Sequence, residues 1–172
     1  PTAAWPLRLD FCTAVTVLLV IAGPEDQDHR QLLQEAGHIR ERFTSQPGEA
    51  TPVCIDVLEQ PDRALLTQKL EQGTYQVLHY AGHSDFGKNG GDLSLVNRQT
   101  GLTERLSGDD LAGLLVNNHV ALAVFNSCRS GHTAADDAAM DWRTPNLVQE
   151  LVNRGAPGVL PMGGGSARRD GS

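Results

Sequence analysis

An α/β fold with a mostly parallel central sheet is predicted by three features of this 172-residue chain. Short apolar stretches rich in β-branched residues alternate with stretches whose apolar residues recur at helical spacing, the pattern of βαβ units. Val120 to Phe125 is an unbroken apolar run, as a strand covered on both faces requires. Polar, reactive residues gather in Gly-flanked loops directly after two of the strand candidates, where sites in open α/β sheets collect.

The elements follow in order. Residues 1–12 read as a linker or an edge strand, since Trp5, Pro6, Leu7 and Leu9 do not decide between them. Thr13 to Ala22 is the first strand, stopped by Gly23-Pro24. Asp26 or Asp28 caps a helix whose apolar stripe is Leu32, Leu33, Ala36, Ile39 and Phe43, and Pro47-Gly48 ends the unit. Pro52 to Leu58 is a second strand, Pro61-Asp62 opens a helix running to about Glu71, and Tyr75 to Tyr80 is a third strand. Residues 81–87, AGHSDFG, are expected to form a loop. Asp92 to Val96 and Leu102 to Leu106 form a predicted β-hairpin with Gly101 at the end of the turn, a flap beside the sheet. Ser107 caps the next helix, with Asp109 and Asp110 in its first turn where the helix dipole favours them.

Val120 to Phe125 is then a strand buried on both faces, and it runs directly into Asn126-Ser127-Cys128-Arg129-Ser130-Gly131. Residues 132–143 read as a polar loop, Asn146 to Asn153 as an amphipathic helix ended by Gly155, and Gly158 to Met162 as a fifth strand just beginning. Residues 163–172, rich in Gly, Ser and Arg, are expected to be a flexible tail. One domain over residues 13–162 is therefore expected, incomplete at its carboxyl end and completed by a second chain or a further segment.

Composition narrows the function classes. With 40% hydrophobic and 20% charged residues the chain is expected to be a globular domain. A net charge of −7 argues against a nucleic-acid surface, which needs clustered Lys and Arg. The most apolar run, Ala14 to Ala22, is too short to span a membrane. Three cysteines, Cys12, Cys54 and Cys128, show no CxxC pair and no zinc-like spacing with His, so free thiols in a reducing compartment are expected, with no metal site and no cofactor. Cys12 and Cys54 read as small buried hydrophobes, as does His79 as a core residue. Asp136-Asp137 read as part of a solvated loop.

Cys128 is different because it follows a buried strand. A thiol attacks only as its thiolate, so it needs a base or a cation close by. His83 is the best-placed histidine, since it too follows a buried strand in a Gly-flanked loop. If the two strands are neighbours in a parallel sheet, both loops emerge at one end. The interval of 45 residues (128 minus 83) is near the spacing of roughly 50, with His upstream, found in caspase-type peptidases.

Together, HYAGHSDF at His79 to Phe86 and LAVFNSCRSG at Leu122 to Gly131 resemble the paired motifs of the CHAT peptidase family, within the caspase-like clan that includes metacaspases, separases and gingipains. The resemblance runs from about Thr13 to Met162. It implies a caspase-like three-layer α/β/α sandwich and endopeptidase chemistry on a protein substrate, with His83 matching the catalytic His and Cys128 the nucleophile. It also implies an oxyanion hole of backbone N–H groups from Cys128 and from Ser84 or Gly82, with small residues at 82, 84, 127 and 130 allowing close approach. Asn126, Arg129 and His132 would line the substrate cleft. Two positions depart from the family pattern. Relatives usually carry Gly directly after the His, where this chain has Ser84. Those that cleave after Arg or Lys commonly carry Asp two residues before the nucleophile, where this chain has Asn126; an amide does not pair with a guanidinium as a carboxylate does, so a non-basic residue before the cut is expected. Cytoplasmic residence within a larger prokaryotic signalling or defence protein is implied in the same way. A catalytically silent CHAT-like interaction module is the competing reading, and a thiol enzyme acting on a small substrate is the third.

Overall fold

The computed structural model describes residues 14–25, 34, 37–39, 41, 53–87, 90–126, 147–156 and 158–162. A five-stranded, wholly parallel sheet forms the centre. Its strands are β1 (Val15–Ala22), β2 (Val53–Glu59), β3 (Val77–Gly82), β7 (Leu122–Asn126) and β8 (Val159–Met162), in the order β2-β1-β3-β7-β8. A second sheet of three antiparallel strands, β4 (Ser84–Gly87), β5 (Gly90–Val96) and β6 (Thr103–Ser107), stands beside it in the order β4-β5-β6. The helices are α1 (Arg63–Gln72), α2 (Gly108–Asn117) and α3 (Leu147–Asn153).

Side-chain alternation along the strands separates two cores. Leu18, Val20, Leu78, Tyr80, Ala123 and Phe125 face α1, α2 and α3, meeting Leu66, Leu70, Leu111, Leu115, Leu147 and Leu151. On the other face, Leu19 and Ile21 pack with Ile39, Ile55 and Val57. Ile39 belongs to the helical residues 34, 37–39 and 41 between β1 and β2, so the parallel sheet is covered on both faces, as predicted. His79 is core, with 9% of its surface exposed.

The helix starts follow the sequence closely. The Asp62 carboxylate accepts the Leu65 N–H at 2.7 Å to open α1, and the Ser107 hydroxyl accepts the Asp110 N–H at 3.2 Å to open α2.

Two expectations are corrected. Residues 81–87 are not a loop: β3 runs to Gly82 and β4 starts at Ser84, leaving His83 alone between two strands, and the predicted hairpin of β5 and β6 gains a third strand. Cys54 is exposed rather than buried, because β2 lies at the sheet's edge, paired with β1 alone among the described strands. The expectations for Cys12, Asp136-Asp137, residues 1–12 and residues 163–172 lie outside the described residues.

The smaller sheet is built into the main core through Leu93, Leu95 and Leu106. Three backbone hydrogen bonds tie it to the larger one or its connections: Ser94 N–H to the His83 carbonyl at 2.9 Å, Val96 N–H to Pro61 at 2.9 Å, and Glu25 N–H to Gly101 at 3.1 Å.

Helices α2 and α3 end in the same way. Beyond α2, the Val120 N–H bonds to the Leu115 carbonyl and the His119 N–H to that of Val116; beyond α3, Ala156 bonds to Leu151 and Gly155 to Val152. Both are Schellman turns, and in each the pivotal residue has a positive φ, 58° at His119 and 90° at Gly155. Each turn reverses the chain into the next strand, so β7 and β8 are delivered by matched devices whose pivotal residue is His119 in one and Gly155 in the other. Only glycine adopts this conformation without strain. Gly155→Ala is therefore expected to lower the unfolding free energy by about 1 kcal/mol, and His119→Gly to leave it level or raise it by up to about 1 kcal/mol, in urea titrations followed by circular dichroism. Equal losses from both changes would contradict this account of the turns.

Candidate functional site

The site is built where β3 and β7 end. These strands pair in parallel, with Tyr80 opposite Phe125 and Ala81 opposite Asn126, a constant offset of 45 (126 minus 81). His83 lies two residues beyond Ala81, and Cys128 two residues beyond Asn126 in sequence, so the offset within the sheet equals the interval between the two motifs. The expectation that these strands are neighbours ending on one side of the sheet is met. Cys128, Arg129 and His132 themselves lie outside the described residues.

His83 is half-buried, and its position is set by its backbone. Its carbonyl accepts the Ser94 N–H at 2.9 Å and faces the Tyr80 hydroxyl at 2.8 Å. The same hydroxyl lies 2.7 Å from the Ser94 carbonyl, so one O–H donor serves two acceptors in a three-centre arrangement. Tyr80 is 1% exposed, and its ring packs at a tilt against Phe125 with centroids 6.3 Å apart. Burial pushes the phenol well above its ordinary pKa, which keeps the hydroxyl protonated as a donor.

Gly82 is buried between these groups. A Cβ there would collide with the Tyr80 hydroxyl and lie 2.8 Å from the Ala22 carbonyl oxygen. The small residue expected at 82 is thus required by crowding inside the protein.

Ser84, 8% exposed, opens β4 opposite Leu93. The bond from Ser94 N–H to the His83 carbonyl brackets this pair, which makes Ser84 and Leu93 a non-hydrogen-bonded antiparallel pair. The Ser84 amide N–H consequently points away from β5, across the outer side of β4. The Ser84 side chain is accommodated within β4.

Asn126, half-buried, closes β7 between Ala81 and Met162 in register. Its side chain leaves the face opposite Phe125, on the same side of the sheet as Ala81. The structure therefore gathers Gly82, His83, Ser84 and Asn126 at the ends of two adjoining strands. Sequence reasoning missed Tyr80 and Ser94. The available signal was a tyrosine inside an otherwise aliphatic buried strand, whose hydroxyl must find a partner.

Other charged groups serve elsewhere. Asp56 bonds Lys69 at 2.7 Å and accepts the Tyr75 hydroxyl at 2.6 Å, and these partners hold its carboxyl below the usual range. That cluster ties β2 to α1 near the start of β3, away from the site. No group of three or more His, Cys, Asp or Glu side chains among the described residues could hold a metal ion. No helix among them is long and apolar enough to cross a membrane.

Among known protein families, the model described as the CHAT domain matches residues 10–162. No curated protein matches the chain.

Gly82→Ala is expected to lower the unfolding free energy by about 1–3 kcal/mol, the usual cost of forcing a methyl into a filled site. Adding Tyr80→Phe should recover part of that loss, because the hydroxyl is the first atom the new methyl meets. A double-mutant cycle in urea checks this, and strictly additive losses would show that the crowding is relieved elsewhere.

Proposed function

The chain belongs to the CHAT domain family, which is caspase-like, and from that premise we propose that it is a cysteine endopeptidase cleaving a protein substrate through a dyad of His83 and Cys128. The observation that carries this reading is the parallel pairing of β3 and β7 in a register whose offset matches the spacing of the two residues.

The chemistry runs in two halves. His83 takes the proton of the Cys128 thiol, and the sulfur attacks the scissile carbonyl carbon. The oxyanion that forms is met by backbone N–H groups, those of Cys128 and Ser84, with Gly82 as the other candidate donor. The direction of the Ser84 amide, away from β5, supports it as the donor from this side. As the intermediate collapses, the C–N bond breaks and the leaving amine takes the proton from His83. Water, giving a proton to His83, then attacks the thioester, and the carboxylic acid product leaves as the thiol is restored.

Asn126, with Arg129 and His132, is assigned to the substrate cleft. A neutral amide at 126 favours an apolar or polar residue before the cut over Arg or Lys. The domain is assigned to residues 13–162, acting in the cytoplasm on a protein substrate and requiring neither cofactor nor metal.

Thiol reactivity tests the dyad. At pH 7 Cys128 is expected to react with iodoacetamide about tenfold faster or more than Cys54, an exposed thiol that serves as an internal reference. In His83→Ala the advantage should disappear, and Cys128→Ala should abolish peptide cleavage. Fluorogenic peptides ending in Leu or Asp should be turned over faster than those ending in Arg. Equal, slow labelling of both thiols, with no cleavage of any peptide, would favour a silent interaction module. A dominant preference for Arg would overturn the reading of Asn126.

A further inference from the structure

The hydroxyl of Tyr80 reaches the His83 carbonyl from three residues back along the chain, and this contact controls more than one group. A peptide unit is planar and trans, so the His83 C=O and the Ser84 N–H lie in one plane and point in opposite directions. The carbonyl is turned toward β5, where it accepts the Ser94 N–H at 2.9 Å and meets the Tyr80 hydroxyl at 2.8 Å. The Ser84 N–H is thereby turned outward. Whatever fixes that one plane sets both the root of the His83 side chain and the aim of the Ser84 amide.

The surroundings leave the hydroxyl little choice. The Tyr80 ring is fully buried against Phe125, its partner on β7, and the Ser94 carbonyl at 2.7 Å holds the hydroxyl from the smaller sheet. The absence of a side chain at Gly82 leaves room for it.

We propose that Tyr80 is a positioning residue that, by clamping the 83–84 peptide plane between the two sheets, fixes His83 as the base and Ser84 N–H as the oxyanion donor at the same time. This rests on the dyad reading for its catalytic consequence; the clamping itself is a separate structural claim.

The test compares Tyr80→Phe with wild type, with His83→Ala and with Leu115→Val, a buried α2 change that removes no hydrogen-bonding group and controls for lost stability alone. Folding of each variant is checked by thermal unfolding, and measurements are made below the lowest midpoint. In Tyr80→Phe, kcat on the preferred peptide is expected to fall about 10- to 100-fold with KM little changed, the signature of misplaced groups rather than lost substrate binding. Isotope-labelled protein should show shifts of the His83 carbonyl carbon and the Ser84 amide nitrogen. Leu115→Val should reproduce none of these changes. If His83→Ala leaves Cys128 alkylation unaltered, the dyad reading fails, and the two backbone shifts still decide whether Tyr80 holds the plane. Unchanged backbone shifts and an unchanged kcat in a folded Tyr80→Phe protein would overturn the proposal.

Discussion

The two sheets meet at a place where backbone polarity has to be satisfied with little help from water. β3 ends at Gly82, β4 begins at Ser84, and a single residue separates a parallel ladder from an antiparallel one. In so tight a passage the carbonyls of His83 and Ser94 need donors from the protein, and a buried carbonyl left without one costs about 1–3 kcal/mol. The Tyr80 hydroxyl and the Ser94 amide meet that need. The remaining architecture is compatible with this junction: the aliphatic core of the smaller sheet is continuous with the main core, so β5 is held where its amide is required.

Much of the fold was legible because its signals are local. A largely apolar run marked β1 as a core strand and an unbroken one marked β7 as buried on both faces, while Asp62 and Ser107 marked helix starts, since caps act over one turn. What was not legible depends on distant partners. SDFG is short, polar and bounded by glycine, so nothing in it announces a strand; it becomes β4 because β5 pairs with it. Cys54 sits in a stretch with ordinary strand character, yet it is exposed because β2 is an edge strand, and rank within a sheet is set by topology. Tyr80 was readable as a strand residue, while its role depends on Ser94, fourteen residues later, which local periodicity does not connect to it.

The candidate site shows the same division. The residue types at 83 and 128 and their spacing of 45 could be read directly (128 minus 83), whereas the equality of that spacing with the register of β3 on β7 is a property of the folded sheet. In a parallel pair the offset is constant along the ladder, so two motifs that follow neighbouring strands by the same number of residues leave the sheet at the same level. This is why the interval carries geometric information: had the strands paired one residue out of step, every side chain of one would have faced the wrong side.

Ser84 illustrates how a side chain can be absorbed at this junction. Glycine after the histidine leaves the backbone open to substrate, and a side chain there has to go somewhere else. In β4 the residue faces Leu93 as a non-hydrogen-bonded pair, with its side chain buried and its amide directed to the opposite side from β5. Strand geometry separates the two directions, because a side chain stands perpendicular to the sheet while the N–H lies in its plane. In the proposed peptidase the hydroxymethyl group and the oxyanion donor therefore occupy different directions about one Cα. The restriction on this junction falls instead on Gly82, where any side chain would meet the hydroxyl that holds the next peptide in place.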